Sequence, residues 1–148
     1  MCLAIRLVNP FFQRRSITHK ALNMNNQHWP TELKLARDKR SLCVLFDDGV
    51  SVTIPAELLR VESPSAEVQG HGPSQKKTIP GKRNVEIIRV EPVGHYAVKL
   101  VFDDMHDTGI YGWDTLREMG QDQDRLMQAY CDALEAQSLS REPILRRK

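Results

Sequence analysis

Leu42-Cys43-Val44-Leu45-Phe46-Asp47-Asp48-Gly49-Val50-Ser51-Val52-Thr53-Ile54-Pro55 is the stretch whose reading decides the fold. Leu42, Val44 and Phe46 alternate with Cys43 and Leu45, the two-residue period of a buried strand. Asp47-Asp48-Gly49 then reads as a hairpin turn, because Asp tolerates left-handed backbone and Gly supplies positive φ. Val50, Val52 and Ile54 return along one face while Ser51 and Thr53 take the other. Pro55 has its φ preset for a helix and loses no hydrogen bond in a first turn, so it opens a short helix through Leu58, Leu59 and Arg60.

Working outward, Leu33 and Leu35 alternate with Lys34 and Ala36 as a short strand, and Asp38-Lys39-Arg40 turns the chain. Downstream, Val85, Ile87 and Val90 resume a strand pattern, Pro92-Val93-Gly94 makes a turn, and Tyr96, Val98, Leu100 and Phe102 form a strand. Thr108–Tyr111 reads as another short strand, and Trp113–Met119 as a helix closed by Gly120. A last helix spans Asp122–Gln137 with Leu126, Met127, Tyr130, Cys131 and Leu134 on one face. Trp29 and Trp113 are expected as packing anchors. Leu45-Phe46-Asp47-Asp48 with Leu59-Arg60 is echoed by Val101-Phe102-Asp103-Asp104 with Leu116-Arg117. Counted from Asp48 to Leu58 against Asp104 to Leu116, the second copy is longer by about two residues, placed around Met105-His106 as a bulge that re-aims the histidine. These patterns predict an α+β fold: two small antiparallel sheet-plus-helix halves in a two-layer arrangement, with an added C-terminal helix.

The 148 residues suit one domain, and 41% hydrophobic with 27% charged residues describes a chain that folds. A net charge of +2 points to neither nucleic acid nor membrane, and no apolar run is long enough to span a bilayer. Cys2, Cys43 and Cys131 form no CxxC pair, which argues against a disulfide framework or a thiolate zinc site and fits a reducing, cytoplasmic compartment. Residues 1–28 carry Arg6, Arg14, Arg15 and Lys20 and no acid. That composition is read as a basic, disordered extension, with mitochondrial import as the alternative and Met24 as a possible later start. Residues 29–120 form the domain, and 121–148 supply the last helix and a loose basic tail from Arg141.

From Val61 to Arg83 periodicity stops, and unstructured connections of this length within a domain often carry function. Here Ser63, Ser65 and Glu67 offer oxygens, and His71 lies between Gly70 and Gly72 with its ring expected to be accessible. Asp103-Asp104-Met105-His106-Asp107 sets one imidazole among three carboxylates, able to ligate zinc or iron, to act as an acid–base pair, or simply to close a polar turn. A Ser–His–acid set drawn from Ser63 or Ser65 with His71 and Asp103 lacks the G-x-S-x-G elbow that positions a nucleophile. Lys76, Lys77, Lys82 and Arg83 flank Pro80-Gly81 without P-loop spacing and without interleaved aromatics, so nucleic-acid binding is not expected.

Together, the run Leu59–Pro73, then Gly81-Lys82-Arg83-Asn84-Val85, Glu91-Pro92-Val93-Gly94, and Phe102–Tyr111 resembles the gamma-butyrobetaine hydroxylase-like N-terminal domain over about Trp29–Gly120. The resemblance implies two small sheet-and-helix halves and an accessory role. In carnitine-biosynthesis oxygenases a similar domain precedes a catalytic domain that holds iron and 2-oxoglutarate, and itself carries a structural zinc on three Cys and one His. A similar domain is also attached to P-loop carriers of iron–sulfur clusters. Aligned on Leu59-Arg60, the cysteine positions fall near Ser63, Ser65 and Val68 and the histidine at His106, which implies that the structural zinc is absent here.

The expected function is therefore a non-catalytic accessory or protein-interaction module linked to iron–sulfur or oxygenase biology, with no catalytic residues. Its binding surface is drawn from Arg60, Ser63, Ser65, Glu67, His71, Asp103, Asp104, His106 and Tyr111. The alternative is an iron- or zinc-binding protein using His106, His71 and Asp103 with nearby carboxylates.

Overall fold

A computed structural model describes residues 3–6 and 28–143. Strand β1 (Leu3–Arg6), β2 (Pro30–Leu35), β3 (Ser41–Phe46) and β4 (Ser51–Pro55) form one antiparallel sheet in that order. Helices α1 (Ala56–Val61) and α2 (Ala66–Gln69) follow. Strands β5 (Ile87–Val93), β6 (Ala97–Phe102) and β7 (Ile110–Gly112) make a second antiparallel sheet, succeeded by α3 (Trp113–Gln121) and α4 (Gln123–Ala136). The chain is thus the expected α+β fold of two sheet-plus-helix halves with an added C-terminal helix.

Leu42, Val44 and Phe46 of β3, Val52 and Ile54 of β4, and Leu58 and Leu59 of α1 are buried in one cluster with Val98, Leu100 and Phe102 of β6 and Leu116 of α3. Tyr130 and Leu134 of α4 belong to the same cluster, so the last helix packs as part of the domain core. Trp29 packs against it, and the Trp113 indole N–H donates to the His95 carbonyl at 2.9 Å. Pro55 does cap α1, with φ −62°.

The internal echo is a structural repeat. In the first turn Phe46 N–H donates to Val50 O and Gly49 N–H to Phe46 O; in the second, Phe102 N–H donates to His106 O and Met105 N–H to Phe102 O. Gly49 and Met105 occupy the same left-handed position, at φ 87° and 72°. Asp48 Oδ1 accepts from Val50 N–H, and Asp104 Oδ1 from His106 N–H, both at 3.1 Å. The helices then reach across: Arg60 of α1 binds Asp104 in the second half, and Arg117 of α3 binds Asp48 in the first, each at 2.7 Å. His106 therefore corresponds to Val50, and the extra length, one residue and not two, lies after it, in Asp107–Gly109, not at Met105-His106 as the spacing suggested.

Three further expectations change. Leu3–Arg6, assigned to a disordered extension, pairs with β2 in the register Leu3↔Leu35 to Arg6↔Glu32; the remaining residues up to 27 lie outside those described. Gly120 does not close α3 but lies inside it, because a Cβ there would sit 2.4 Å from Val52 Cβ and only a bare Cα lets α3 rest on β4. Arg141, assigned to a loose tail, donates from Nε and Nη2 to the Glu57 carboxylate at 2.7 and 2.6 Å, which neutralises a buried acid.

Candidate functional site

α1 ends at Glu62, and the chain doubles back through Ser63-Pro64-Ser65 into the single turn of α2. The loop that looked structureless is thus partly helical, with a 3-10 turn at Pro73–Gln75. Ser65 stands at the N-cap of α2 yet makes no side-chain cap bond. Its hydroxyl is turned instead toward the β6–β7 turn, where His106 Nε2 lies 3.4 Å away. Ser63 Oγ is closer to the same nitrogen, at 2.9 Å, and the two hydroxyl oxygens are 3.3 Å apart. On the other side of the ring, His106 Nδ1 is 3.2 Å from Glu67 Oε2.

Ionised Glu67 can only accept, so Nδ1 carries the ring proton and Nε2 of the neutral imidazole accepts from a serine hydroxyl. Ser63 is completely buried, and Ser65 and His106 nearly so, while Glu67 remains exposed. Burial, reinforced by the nearby Arg60 charge, lowers the His106 pKa from 6.5 against the opposing pull of Glu67. Gly109 leaves room for this arrangement, since a Cβ there would lie 2.5 Å from Ser63 Oγ.

A second layer fixes the frame. Arg60 Nε and Lys82 Nζ both reach Asp104 Oδ2, at 2.7 and 2.5 Å. Burial of Asp104 opposes its ionisation, but bonds from Lys82, Arg60 and the His106 amide outweigh this and lower its pKa. Tyr111 is fully buried, its hydroxyl donating to the Leu59 carbonyl and its pKa raised by burial. Gln69 Nε2 donates to the Ser63 carbonyl at 3.0 Å. Arg60 Nη1 is buried without a partner.

Ser63, Ser65, Glu67 and His106 are therefore brought together, with Arg60, Asp104 and Tyr111 around them. His71 and Asp103 are not. His71 is exposed, and its backbone N–H donates to the Gln75 side chain. Asp103 is exposed and accepts from the Glu86 amide. The expected ligand set His106, His71 and Asp103 does not converge. Among the described residues, the His, Asp, Glu and Cys trio whose ligand atoms do converge is His28, Asp47 and Asp48. There Arg117 already holds both Asp48 oxygens and its bonds depress that carboxyl to about 2. Sequence reading missed this trio and the Glu57–Arg141 pair because each joins distant parts of the chain.

The line Ser63 Oγ, His106 Nε2 and Nδ1, Glu67 Oε2 has the order of a nucleophile, base and orienting acid. A reacting carbonyl must reach the nucleophile, however, and Ser63 has no exposed surface. Of two clefts of about 300 and 330 Å³, the first runs beside the cluster, lined by Glu62, Pro64, Gln69, Glu118 and Met119 among others, and the second lies at Cys131, Leu139 and Arg141. Neither includes Ser63 or His106. A four-ligand zinc like that of the resembled oxygenase domains does not fit either: hydroxyls stand at 63 and 65, and Val68 is an apolar, buried side chain.

The family model for gamma-butyrobetaine hydroxylase-like, N-terminal, matches residues 33–117. Two proteins with NMR solution structures are 44% and 40% identical; they cover 89% and 81% of this chain and 96% and 97% of their own, with TM-scores of 0.70 and 0.67. A crystal structure of a protein of unknown function in the DUF971 family, from Acidithiobacillus ferrooxidans, is 37% identical over 62% of this chain and 91% of its own, with a TM-score of 0.52. No curated protein matches the chain. With its matched motifs and its two sheet-plus-helix halves, the chain belongs to the gamma-butyrobetaine hydroxylase-like N-terminal domain family.

Proposed function

We propose that this protein is a non-catalytic interaction module serving iron–sulfur or oxygenase biology. The observation that carries the reading is a division of labour. The side chains able to do chemistry (Ser63, Ser65 and His106) are spent on one another in the interior, whereas the surface offers apolar groups. Of the five large exposed hydrophobics among the described residues, Ile88, Tyr96, Met105 and Ile110 belong to the second sheet or its turns, and the fifth, Leu139, follows α4. In β6, Val98, Leu100 and Phe102 enter the core, which leaves Lys99 half-buried on the opposite face, where Ala97 and Val101 are themselves buried. Ile110 pairs with Lys99 on β7, and Ile88 sits at the β5 bulge. Met105 is 88% exposed at a left-handed turn position, an arrangement that packing within the chain does not explain. The family's name ties such domains to an oxygenase, which supports the assignment of partner class.

Affinity capture from the native host tests this, comparing wild type with the double variant I88K/I110K. One or a few partners of iron–sulfur or oxygenase type, captured by wild type and lost by the folded variant, are expected. A chain that captures nothing yet turns over a small molecule contradicts the proposal. Metal binding by His106 with His71 and Asp103 gains no such support from the geometry.

A further inference from the structure

Ser63 Oγ, Ser65 Oγ and His106 Nε2 lie 2.9, 3.3 and 3.4 Å from one another. A tetrahedral ion with oxygen or nitrogen ligands at about 2.0–2.1 Å has ligand–ligand edges of about 3.3–3.4 Å. Two of the three spacings match such an edge, and the third, Ser63 to His106, is drawn shorter by their hydrogen bond. Glu67 on the far ring nitrogen is the usual orienting partner of a metal-bound histidine. Val68 lies in the single turn of α2, three residues after Ser65 at its N-cap, and is buried. Only the donor chemistry disagrees. Serine hydroxyls hold their protons at neutral pH and are weak ligands, and Val68, which the resemblance matches to the remaining cysteine, is a buried methyl-bearing side chain.

We infer that the Ser63–Ser65–His106–Glu67 cluster is a metal-free knuckle, in which hydrogen bonds do the structural work of a four-coordinate cation and staple the α1–α2 loop to the β6–β7 turn. The frame keeps the shape of a cation site while the residues forgo the ion. Its conversion to a zinc site then takes three thiols, at 63, 65 and 68.

The test uses the full chain as wild type and as S63C/S65C/V68C, with Zn²⁺ and Co²⁺ as probes and circular dichroism as the check on folding. Wild type purified from zinc-replete medium is expected to carry no stoichiometric zinc, and a chelator is expected to leave its melting temperature unchanged. The triple variant is expected to bind one Co²⁺ per chain with a thiolate charge-transfer band that His106→Ala weakens at least tenfold. Should the triple variant fold only with Zn²⁺, the inference is equally supported. Should it fold in neither condition, S63C/S65C decides: Co²⁺ affinity at least tenfold above wild type supports the knuckle, and no gain overturns it. Stoichiometric zinc in wild type that S63A/S65A loses, or a folded triple variant blind to Co²⁺, also overturns it.

Discussion

Replacing Ser63 by alanine removes one oxygen from a site that water does not reach. Ser63 Oγ stands 2.9 Å from His106 Nε2 and 3.4 Å from the Ser65 amide, and Ser63 has no exposed surface. Without it, His106 Nε2 keeps only Ser65 Oγ at 3.4 Å, and the Ser65 N–H loses its acceptor. The Ser65 bond is long, so the loss amounts to one well-made buried bond, which costs about 1–3 kcal/mol when its partner stays behind unsatisfied. For a chain of this length that lowers the melting temperature by roughly 3–10 °C. Urea unfolding should show a lower midpoint with an unchanged slope. His106→Phe, which keeps a ring beside Phe102, strands the two hydroxyls instead. In the double variant the direct Ser63–His106 bond is missing from both ends at once, while the Ser65 hydroxyl and amide stay unpaired, so its loss should fall short of the summed single losses by about 1 kcal/mol. A Ser63→Ala change below about 0.5 kcal/mol, or an additive cycle, would refute the reasoning.

The lowered His106 pKa sets a pH dependence: as pH falls below 6.5 the unfolded chain binds the proton first. Stability should therefore be full above that value, decline below it, and lose that slope in His106→Gln, as read from urea midpoints at several pH values. Arg141→Ala leaves the Glu57 carboxylate buried without its partner, for a loss of about 1–3 kcal/mol given the part-exposed guanidinium; Glu57→Gln in the same chain should recover most of it in thermal melts. Gly120→Ala gains up to about 1 kcal/mol of helix propensity but overpacks Val52 at a cost of about 1–3 kcal/mol. Calorimetry should find it destabilised, and the double variant V52A/G120A less so than the singles sum to.

Much of the fold is legible because β3, its Asp-Asp-Gly turn and β4 state their faces locally, and Phe102-Asp103-Asp104 repeats the statement. The crossed Arg60–Asp104 and Arg117–Asp48 pairs could not be read from spacing, since they depend on each helix packing over the other half. Gly120 looked like a helix end because glycine commonly is one; tertiary contact with Val52 gave it a different use. The serines, Glu67 and His106 were all visible as candidates, but His106 was also grouped with His71 and Asp103, which the fold keeps apart. Flanking glycines made His71 look available, whereas closure needed a carboxylate on α2 one residue past the helix start, which Glu67 supplies.

The central claim is that His106 is a closed, neutral, metal-free member of the interior network. Long-range proton–nitrogen NMR of its ring tests this most directly. The account predicts Nδ1 protonated, Nε2 unprotonated and accepting a hydrogen bond, and neither shift altered by Zn²⁺ or by a chelator at neutral pH. A metal-dependent Nε2 shift, or a ring that titrates above 6.5 as an exposed imidazole would, contradicts it.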